Sequence, residues 1–144
     1  TDGSKDPDSG QVAVGAVVPH LCFSFGCQVR DHSVFTAELV AILCALCWVE
    51  ERVLERAIIC SDSAAALVVL SGSGSSSRPD LVISARDLWA CGCEVCFVWV
   101  PAHVGVVGNE RVDFVAKAVL RSAVVDLEVA LGSPEYSAIG REVV

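Results

Sequence analysis

The sequence has few cationic residues and no cluster of them. Lysine and arginine number 10 against 18 acids, and no two cations are adjacent, which leaves a formal net charge of −8. Proteins that bind nucleic acids tightly usually carry a basic face. Charge alone therefore argues against a strong nucleic-acid binder, so such a function needs another source of affinity.

Long apolar runs and targeting segments are also lacking. The longest uninterrupted apolar run is Leu39–Val49, eleven residues. It is too short to span a bilayer and suits a buried helix. No basic patch followed by an apolar stretch marks a secretory signal at the N-terminus. We expect an intracellular protein, nuclear or cytoplasmic, with no membrane partner.

Methionine is absent, and the chain opens abruptly on Thr1-Asp2-Gly3. We interpret the sequence as a fragment of a longer polypeptide. Its 144 residues are enough for one domain with a real core. Hydrophobic residues make up 53% of the chain, which argues against disorder.

The eight cysteines of the chain could in principle form disulfides or a metal site. Cys44-x-x-Cys47 lies on a predicted helix, and Cys93-x-x-Cys96 heads a predicted strand. Neither pair is followed by a histidine or a second pair at zinc-finger spacing. We therefore predict buried small side chains in a reducing compartment, with no disulfide-linked partner. The full set is Cys22, Cys27, Cys44, Cys47, Cys60, Cys91, Cys93 and Cys96.

The hydrophobic pattern predicts an α/β domain. Strands are predicted at 1–5, 11–18, 21–29, 56–61 and 94–100, and helices at 34–52, 62–70, 79–90 and 108–121. The first three strands form a meander, whereas the later ones are reached through helical crossovers. That order gives a mixed sheet with helices on its faces. Beyond residue 121 the pattern weakens, so we predict a domain at 1–121 and a C-terminal tail at 122–144.

Glu38 lies on the helical stripe that should face the core. Its neighbours one turn away are Val34 and Phe35 before it, and Ala41 and Ile42 after it. An ionised carboxylate on a core stripe needs a partner or a metal ion. The alternative is a frayed first helical turn with Glu38 near the surface, favoured by the helix dipole.

Three aspartates and one histidine stand at positions with both ordinary and functional interpretations. Asp2 can be a turn residue. Asp62 ends an apolar strand, where open α/β sheets place their sites, but it can also cap the next helix. Asp113 can simply complement a helix dipole, and His103 can be a solvated loop residue.

These four acidic side chains would indicate a metal site if the fold brought them to one point. Aspartate on a strand, glutamate on a helix, aspartate after a strand and aspartate on a helix would repel one another unless cations lay between them. Mg²⁺ and Mn²⁺ prefer such oxygen ligands. A carboxylate cluster that holds two such ions suits phosphoryl transfer, because it steadies both the attacking and the leaving oxygens.

Four sequence phrases resemble those of ribonuclease H domains, in the same order. They are Thr-Asp-Gly-Ser (1–4), Phe-Thr-Ala-Glu-Leu (35–39), Ser-Asp-Ser (61–63) and Val-Pro-Ala-His-Val-Gly-Val-Val-Gly-Asn-Glu-Arg-Val-Asp (100–113). The resemblance covers about residues 1–121. It is greatest to the ribonuclease H of non-LTR (LINE-like) retrotransposon polyproteins, and the last phrase is the most specific.

The resemblance implies a fold, an activity and a metal site. The fold would be a mixed five-stranded sheet, with its first three strands antiparallel and helices on both faces. Asp2, Glu38, Asp62 and Asp113 would bind two Mg²⁺ ions, with Mn²⁺ as a substitute. His103, on a mobile loop, would move protons or assist product release. The reaction would be endonucleolytic hydrolysis of the RNA strand of an RNA/DNA hybrid.

The resemblance also implies partners and substrate contacts. The reverse transcriptase domain of the same polyprotein would deliver the hybrid and compensate for the acidic charge. The candidate substrate contacts are Gly3, Ser4, Ser33, Arg78 and Asn109.

Two other functions remain open from the sequence. The truncated first strand favours a catalytically inactive ribonuclease H-like scaffold from a decayed element, although all four carboxylates and His103 are present. Another nuclease of the same fold, such as an integrase or resolvase that acts on DNA, uses a different order of carboxylates. It also lacks the phrase from His103 to Asp113.

Overall fold

The order of strands and helices follows the sequence prediction. A computed structural model describes residues 1–21, 23–30, 33–72, 76–90 and 92–120. The strands in this part of the chain are β1 (Asp2–Lys5), β2 (Val12–Val18), β3 (Phe23–Val29), β4 (Arg56–Ser61) and β5 (Glu94–Trp99). The α-helices are α1 (Val34–Glu51), α2 (Ala64–Leu70), α3 (Pro79–Trp89) and α4 (Val107–Leu120), and a short 3-10 turn covers Pro19–Leu21.

The strands form two hydrogen-bonded ladders. β1, β2 and β3 are antiparallel in sequence order, as expected for the mixed α/β class, and β4 and β5 are parallel. The predicted single sheet of five strands is therefore divided between β1 and β4. β1 begins at Asp2, and the residue before it contacts β4: the Thr1 amino nitrogen donates to the Cys60 carbonyl oxygen at 2.8 Å.

Helices cover both faces of the antiparallel ladder. On one face, a Cβ at Gly3 would lie against Ala37 of α1. On the other, a Cβ at Gly15 would lie against Val112 of α4. Successive residues of a strand point to opposite faces. Because Asp2 is paired with Gly15, its side chain points toward α4 and Gly3 points toward α1.

The helix α1 forms the centre of the core. Leu39, Ile42 and Leu43 are each at most 2% exposed. Helix α1 packs against the antiparallel ladder on one side and against α3 on another. A helix that is buried nearly all round needs apolar residues on every side, which explains the eleven-residue apolar run in the sequence.

The cysteine prediction is correct in part. Cys27, Cys44 and Cys47 are buried, whereas Cys60 and Cys96 are exposed. These two lie on the face of the β4–β5 ladder where Ile58 is also 71% exposed, because α4 packs on the antiparallel ladder instead. Over the described ranges, no helix is long and apolar enough to cross a bilayer. Cys22, Cys91 and the tail at 122–144 lie outside those ranges.

The contact between β2 and α4 yields a stability prediction. A Cβ at Gly15 would lie 3.2 Å from the Val112 carbonyl oxygen and 3.3 Å from the Ala116 nitrogen. Gly15→Ala should therefore push α4 away from the sheet and lower the free energy of unfolding by about 1–3 kcal/mol. Urea denaturation measures this change.

Gly108→Ala is the matched control for that experiment. Its Cβ would meet Pro19 Cγ at 3.9 Å, an ordinary contact, and Gly108 lies in the first turn of α4. Alanine should leave stability unchanged or raise it by up to about 1 kcal/mol through helix propensity. Equal losses in the two variants would contradict the close β2–α4 packing.

Candidate active site

The position of Asp2 depends on an unusually close contact between β1 and α1. A Cβ at Gly3 would lie 2.7 Å from the Ala37 Cβ and 2.9 Å from the Glu38 nitrogen, so only glycine fits there. The Gly3 N–H also donates to the Glu38 carboxylate. Asp2, 5% exposed, is therefore held next to the first turns of α1.

Glu38 is buried rather than frayed. Its side chain is on a helix whose N-terminus is capped by Ser33, where the hydroxyl oxygen accepts from the Thr36 N–H at 3.3 Å. Glu38 is 6% exposed, so the surface alternative is wrong. Its Oε2 is buried and has no hydrogen-bond partner among the residues that the structure describes. A buried carboxylate oxygen without a partner is costly.

The Asp62 side chain is not used as a helix cap, so its carboxylate can take part in the site. Ser63, not Asp62, is the N-cap of α2, and its side chain accepts from the Ala66 N–H. The Asp62 Oδ2 instead accepts from Asn109 Nδ2 at 3.2 Å. The Trp99 indole N–H donates to the Asp62 backbone oxygen at 3.1 Å. Both contacts fix Asp62 at the carboxyl end of β4.

Three carboxylates meet at one point. Asp2, Glu38 and Asp62 each offer an oxygen, and these oxygens lie within 4.8 Å of one another. Burial, followed by repulsion from Asp62 and Asp113, raises the pKa of Asp2 to about 7. Burial, followed by repulsion from Asp2 and Asp62, raises the pKa of Glu38 to about 8. The hard oxygen ligands and the unpartnered Glu38 Oε2 fit a divalent cation.

Asp113 lies beside this cluster. It is half-buried on α4, its carboxyl group is hydrogen-bonded to Asp2, and its Oδ2 pairs with Lys117 Nζ at 2.7 Å. The structure thus brings together all four carboxylates predicted from the sequence, three in one tight group and the fourth in contact through Asp2.

His103 lies on the loop between β5 and α4 and is exposed. Its φ of 54° is in the left-handed region, which is uncommon for a residue other than glycine and recurs at functional sites. The same loop is tied to α4 because the Gly105 N–H donates to Glu110 Oε1 at 3.1 Å.

The candidate substrate contacts have varied surroundings. Ser4 is half-buried on β1, and Ser33 caps α1. Arg78 is 9% exposed, and its guanidinium makes two hydrogen bonds to Asp80, at 3.1 and 2.9 Å. Asn109 is 7% exposed and orients Asp62. Sequence reasoning did not identify Trp99 or the role of Asn109, because both contacts join residues far apart in the chain.

The raised pKa values predict how stability depends on pH when a chelator removes divalent ions. Asp2 and Glu38 titrate at 3.8 and 4.5 when unperturbed but at about 7 and about 8 in the fold. Between these values the folded state holds protons that the unfolded chain has lost. The free energy of unfolding contributed by this pair should therefore fall as pH rises from about 4 to about 8, as measured by denaturation at each pH.

Glu38→Gln isolates this effect. The neutral amide should flatten the pH dependence and make the variant more stable than the native chain at pH 8 in chelator. Millimolar Mg²⁺ should stabilise the native chain at pH 8 and stabilise the variant much less. An unchanged pH slope in the variant would show that Glu38 is not the group that titrates.

Comparison with known proteins agrees with this geometry. The fold resembles the crystal structure of RNase H1 from the halophilic archaeon Halobacterium salinarum NRC-1, with a TM-score of 0.68 and 24% identity over 83% of this chain and 92% of that one. It also resembles the N-terminal RNase H domain of a Mycobacterium tuberculosis protein, solved as a fusion with maltose binding protein. There the TM-score is 0.65 and the identity 18%, over 85% of this chain and 94% of that one. The model of the RNase H family matches residues 1–121, and the chain therefore belongs to the RNase H family.

Proposed function

We propose that this domain hydrolyses the RNA strand of RNA/DNA hybrids, cutting within the strand, with two Mg²⁺ ions as cofactors. Membership of the RNase H family supports the reaction class. The observation that carries the proposal is the buried group of Asp2, Glu38 and Asp62, with oxygens within 4.8 Å of one another. In Glu38, that group includes an oxygen that lacks a partner in the described part of the chain.

The four carboxylates would hold the two ions. Asp2 is central, because it lies beside Asp113 and shares the tight group with Glu38 and Asp62. The chemistry that bound Mg²⁺ supplies is activation of the attacking water and neutralisation of charge on the phosphate. Mn²⁺ shares the preference for these ligands.

Two neighbouring residues would position the ligands. The Asn109 side-chain amide donates to Asp62 Oδ2 and so restrains the orientation of that carboxylate. Lys117 holds Asp113 by an ion pair. Partners of this kind fix the orientation of metal ligands and strengthen metal sites.

His103 is the candidate for proton transfer or for release of the product. Imidazole suits proton transfer near neutral pH, and His103 is exposed on the loop that leads directly into α4, which carries Asn109 and Asp113. Its exposure would leave the imidazole accessible to a bound substrate.

We also propose that the domain is part of a retrotransposon reverse transcriptase polyprotein, acting in the nucleus or cytoplasm. The phrases at 35–39 and 100–113 support this setting, because they resemble those of LINE-like elements. In this proposal residues 1–121 are the catalytic domain and residues 122–144 a tail that follows it.

Cleavage of a labelled hybrid tests the proposed reaction. The native chain with Mg²⁺ should cut the RNA strand of the hybrid and spare duplex DNA and duplex RNA. Even outer partners of a metal site are worth about 10- to 100-fold, so Asp62→Asn, which removes a ligand charge, should lower the rate at least about 100-fold. Asp8→Asn, in an exposed turn, is the matched control and should keep full activity.

The other outcomes separate the alternatives. A folded native chain that binds Mg²⁺ without cutting the hybrid would favour the inactive scaffold. Cleavage of duplex DNA at the same rate as the hybrid would favour a different nuclease of this fold.

Charge predicts weak affinity of the domain alone for its substrate. Two Mg²⁺ ions would change the formal net charge from −8 to about −4, which still opposes phosphate contacts. Several cations are also engaged within the fold: Arg56 with Glu94, Arg78 with Asp80, Lys117 with Asp113, and Arg86 with the carbonyls of Val69 and Leu70.

The affinity for hybrid should therefore depend on the rest of the polyprotein. A covalently attached reverse transcriptase domain raises the effective concentration of substrate, and such tethering can increase affinity by about 10²–10⁴-fold. Fluorescence anisotropy with a labelled hybrid that cannot be cleaved should show much tighter binding by the longer protein than by residues 1–144. Equal affinities would refute delivery by the partner domain.

A further inference from the structure

An exposed tryptophan lies beside the carboxylate cluster. Trp99 ends β5 and is 54% exposed, although tryptophan is highly buried on average in folded proteins. Its indole N–H donates to the backbone oxygen of Asp62 at 3.1 Å, and Asp62 supplies one of the clustered carboxylates. The ring therefore contacts a residue of the proposed metal site and is also open to solvent.

The ladder of β4 and β5 determines the side of the sheet on which this ring lies. Trp99 is paired with Ser61, the residue before Asp62. Phe97 is two residues earlier in β5 and so points to the same face as Trp99. The Phe97 ring packs edge-on against Trp89 of α3, with the ring centroids 4.9 Å apart. Trp99 therefore lies on the face that carries α3, at the end of the ladder where Asp62 follows β4.

The hydrogen bond to Asp62 does not by itself account for an indole at this position. The Asp62 oxygen also accepts from the Ala64 N–H at 3.1 Å, and the Val100 N–H donates to the Ser61 oxygen at 3.0 Å. The turn between β4 and α2 thus has supports other than the indole. A smaller donor could make the same bond to Asp62, so the large exposed ring is free to serve a contact with another molecule.

The exposed part of the neighbouring helix is small and uncharged. Ala64, Ala65 and Val68 are exposed on α2, the helix that begins two residues after Asp62 and contacts β5. Small apolar side chains let another molecule approach the turn closely. Lysine and arginine, which would bind phosphates, are absent from Ala64–Leu70. Affinity at this surface would therefore come from apolar contact.

We propose that the exposed ring of Trp99 is a nucleic-acid contact, which packs against the sugar and base of one nucleotide of the strand held at the carboxylate cluster. The inference rests on the proposed function, because its ligand is the hybrid that this site would cut. Aromatic rings bind nucleotides of any sequence, since every base has an apolar face. Such a contact supplies affinity without positive charge, which a domain with a formal net charge of −8 needs.

Two substitutions separate contact with the substrate from positioning of Asp62. Trp99→Phe keeps a flat ring but loses the N–H, whereas Trp99→Ala loses both. With the labelled hybrid that cannot be cleaved, the Trp99→Phe variant should bind within about threefold of the native chain, and the Trp99→Ala variant about 5- to 30-fold more weakly. The loss should be the same at low and high salt, because an apolar contact releases no counterions.

Ile83→Ala is the matched control for these variants. Ile83 is similarly exposed, at 58%, but lies on α3, so this variant should bind the hybrid as tightly as the native chain. Thermal unfolding of each variant verifies that it folds. Equal losses in the two Trp99 variants would overturn the contact, because both lack the same N–H. A folded Trp99→Ala variant with native affinity would also overturn it.

Intrinsic fluorescence tests the same contact without the Trp99→Ala variant. The chain has three tryptophans, and the emission that disappears in the Trp99→Phe variant belongs to Trp99. Bound hybrid should quench this part of the emission and leave the remainder, from Trp48 and Trp89, nearly unchanged. Hybrid binding without this quenching refutes the contact and leaves the proposed reaction intact. Quenching without cleavage refutes the reaction alone, and a hybrid that does not bind refutes both.

Discussion

The approach of β1 to the first turns of α1 is the contact on which the rest of the site depends. No side chain fits at Gly3, because Ala37 and the Glu38 backbone occupy the space of its Cβ. The same contact brings the Gly3 N–H to the Glu38 carboxylate and places Asp2 beside it. A strand and a helix of ordinary spacing would leave these two carboxylates too far apart to share an ion.

The cluster also connects the two halves of the sheet. Asp2 belongs to the antiparallel ladder, Asp62 follows the parallel one, and Glu38 comes from the helix that packs beneath both. Their mutual repulsion opposes the fold when no cation is present, as the raised pKa values of Asp2 and Glu38 indicate. The fold tolerates this cost because the core around Leu39, Ile42 and Leu43 is closely packed and almost wholly buried.

The sequence predicts the order of the strands and helices and several residues of the site, and the reasons differ from residue to residue. Glu38 stands out because a charge on an apolar helical stripe conflicts with burial. Asp62 is ambiguous because Ser61, Asp62 and Ser63 are all good helix caps, and only the structure shows that Ser63 does the capping. The strand order follows from the hydrophobic pattern, but the gap between β1 and β4 depends on a register that no local pattern encodes. The exposure of Cys60 and Cys96 follows from the position of α4, which is also a long-range property.

The ion pair between Lys117 and Asp113 has a consequence for cation selectivity. The ammonium lies 2.7 Å from the carboxylate oxygen, so Asp113 already has a singly charged counterion supplied by its own helix. An incoming monovalent ion would merely replace one unit of charge with another, after losing its hydration. A doubly charged ion at the same separation attracts the carboxylate about twice as strongly. A cation at this edge of the cluster therefore meets an Asp113 whose charge Lys117 already balances in part.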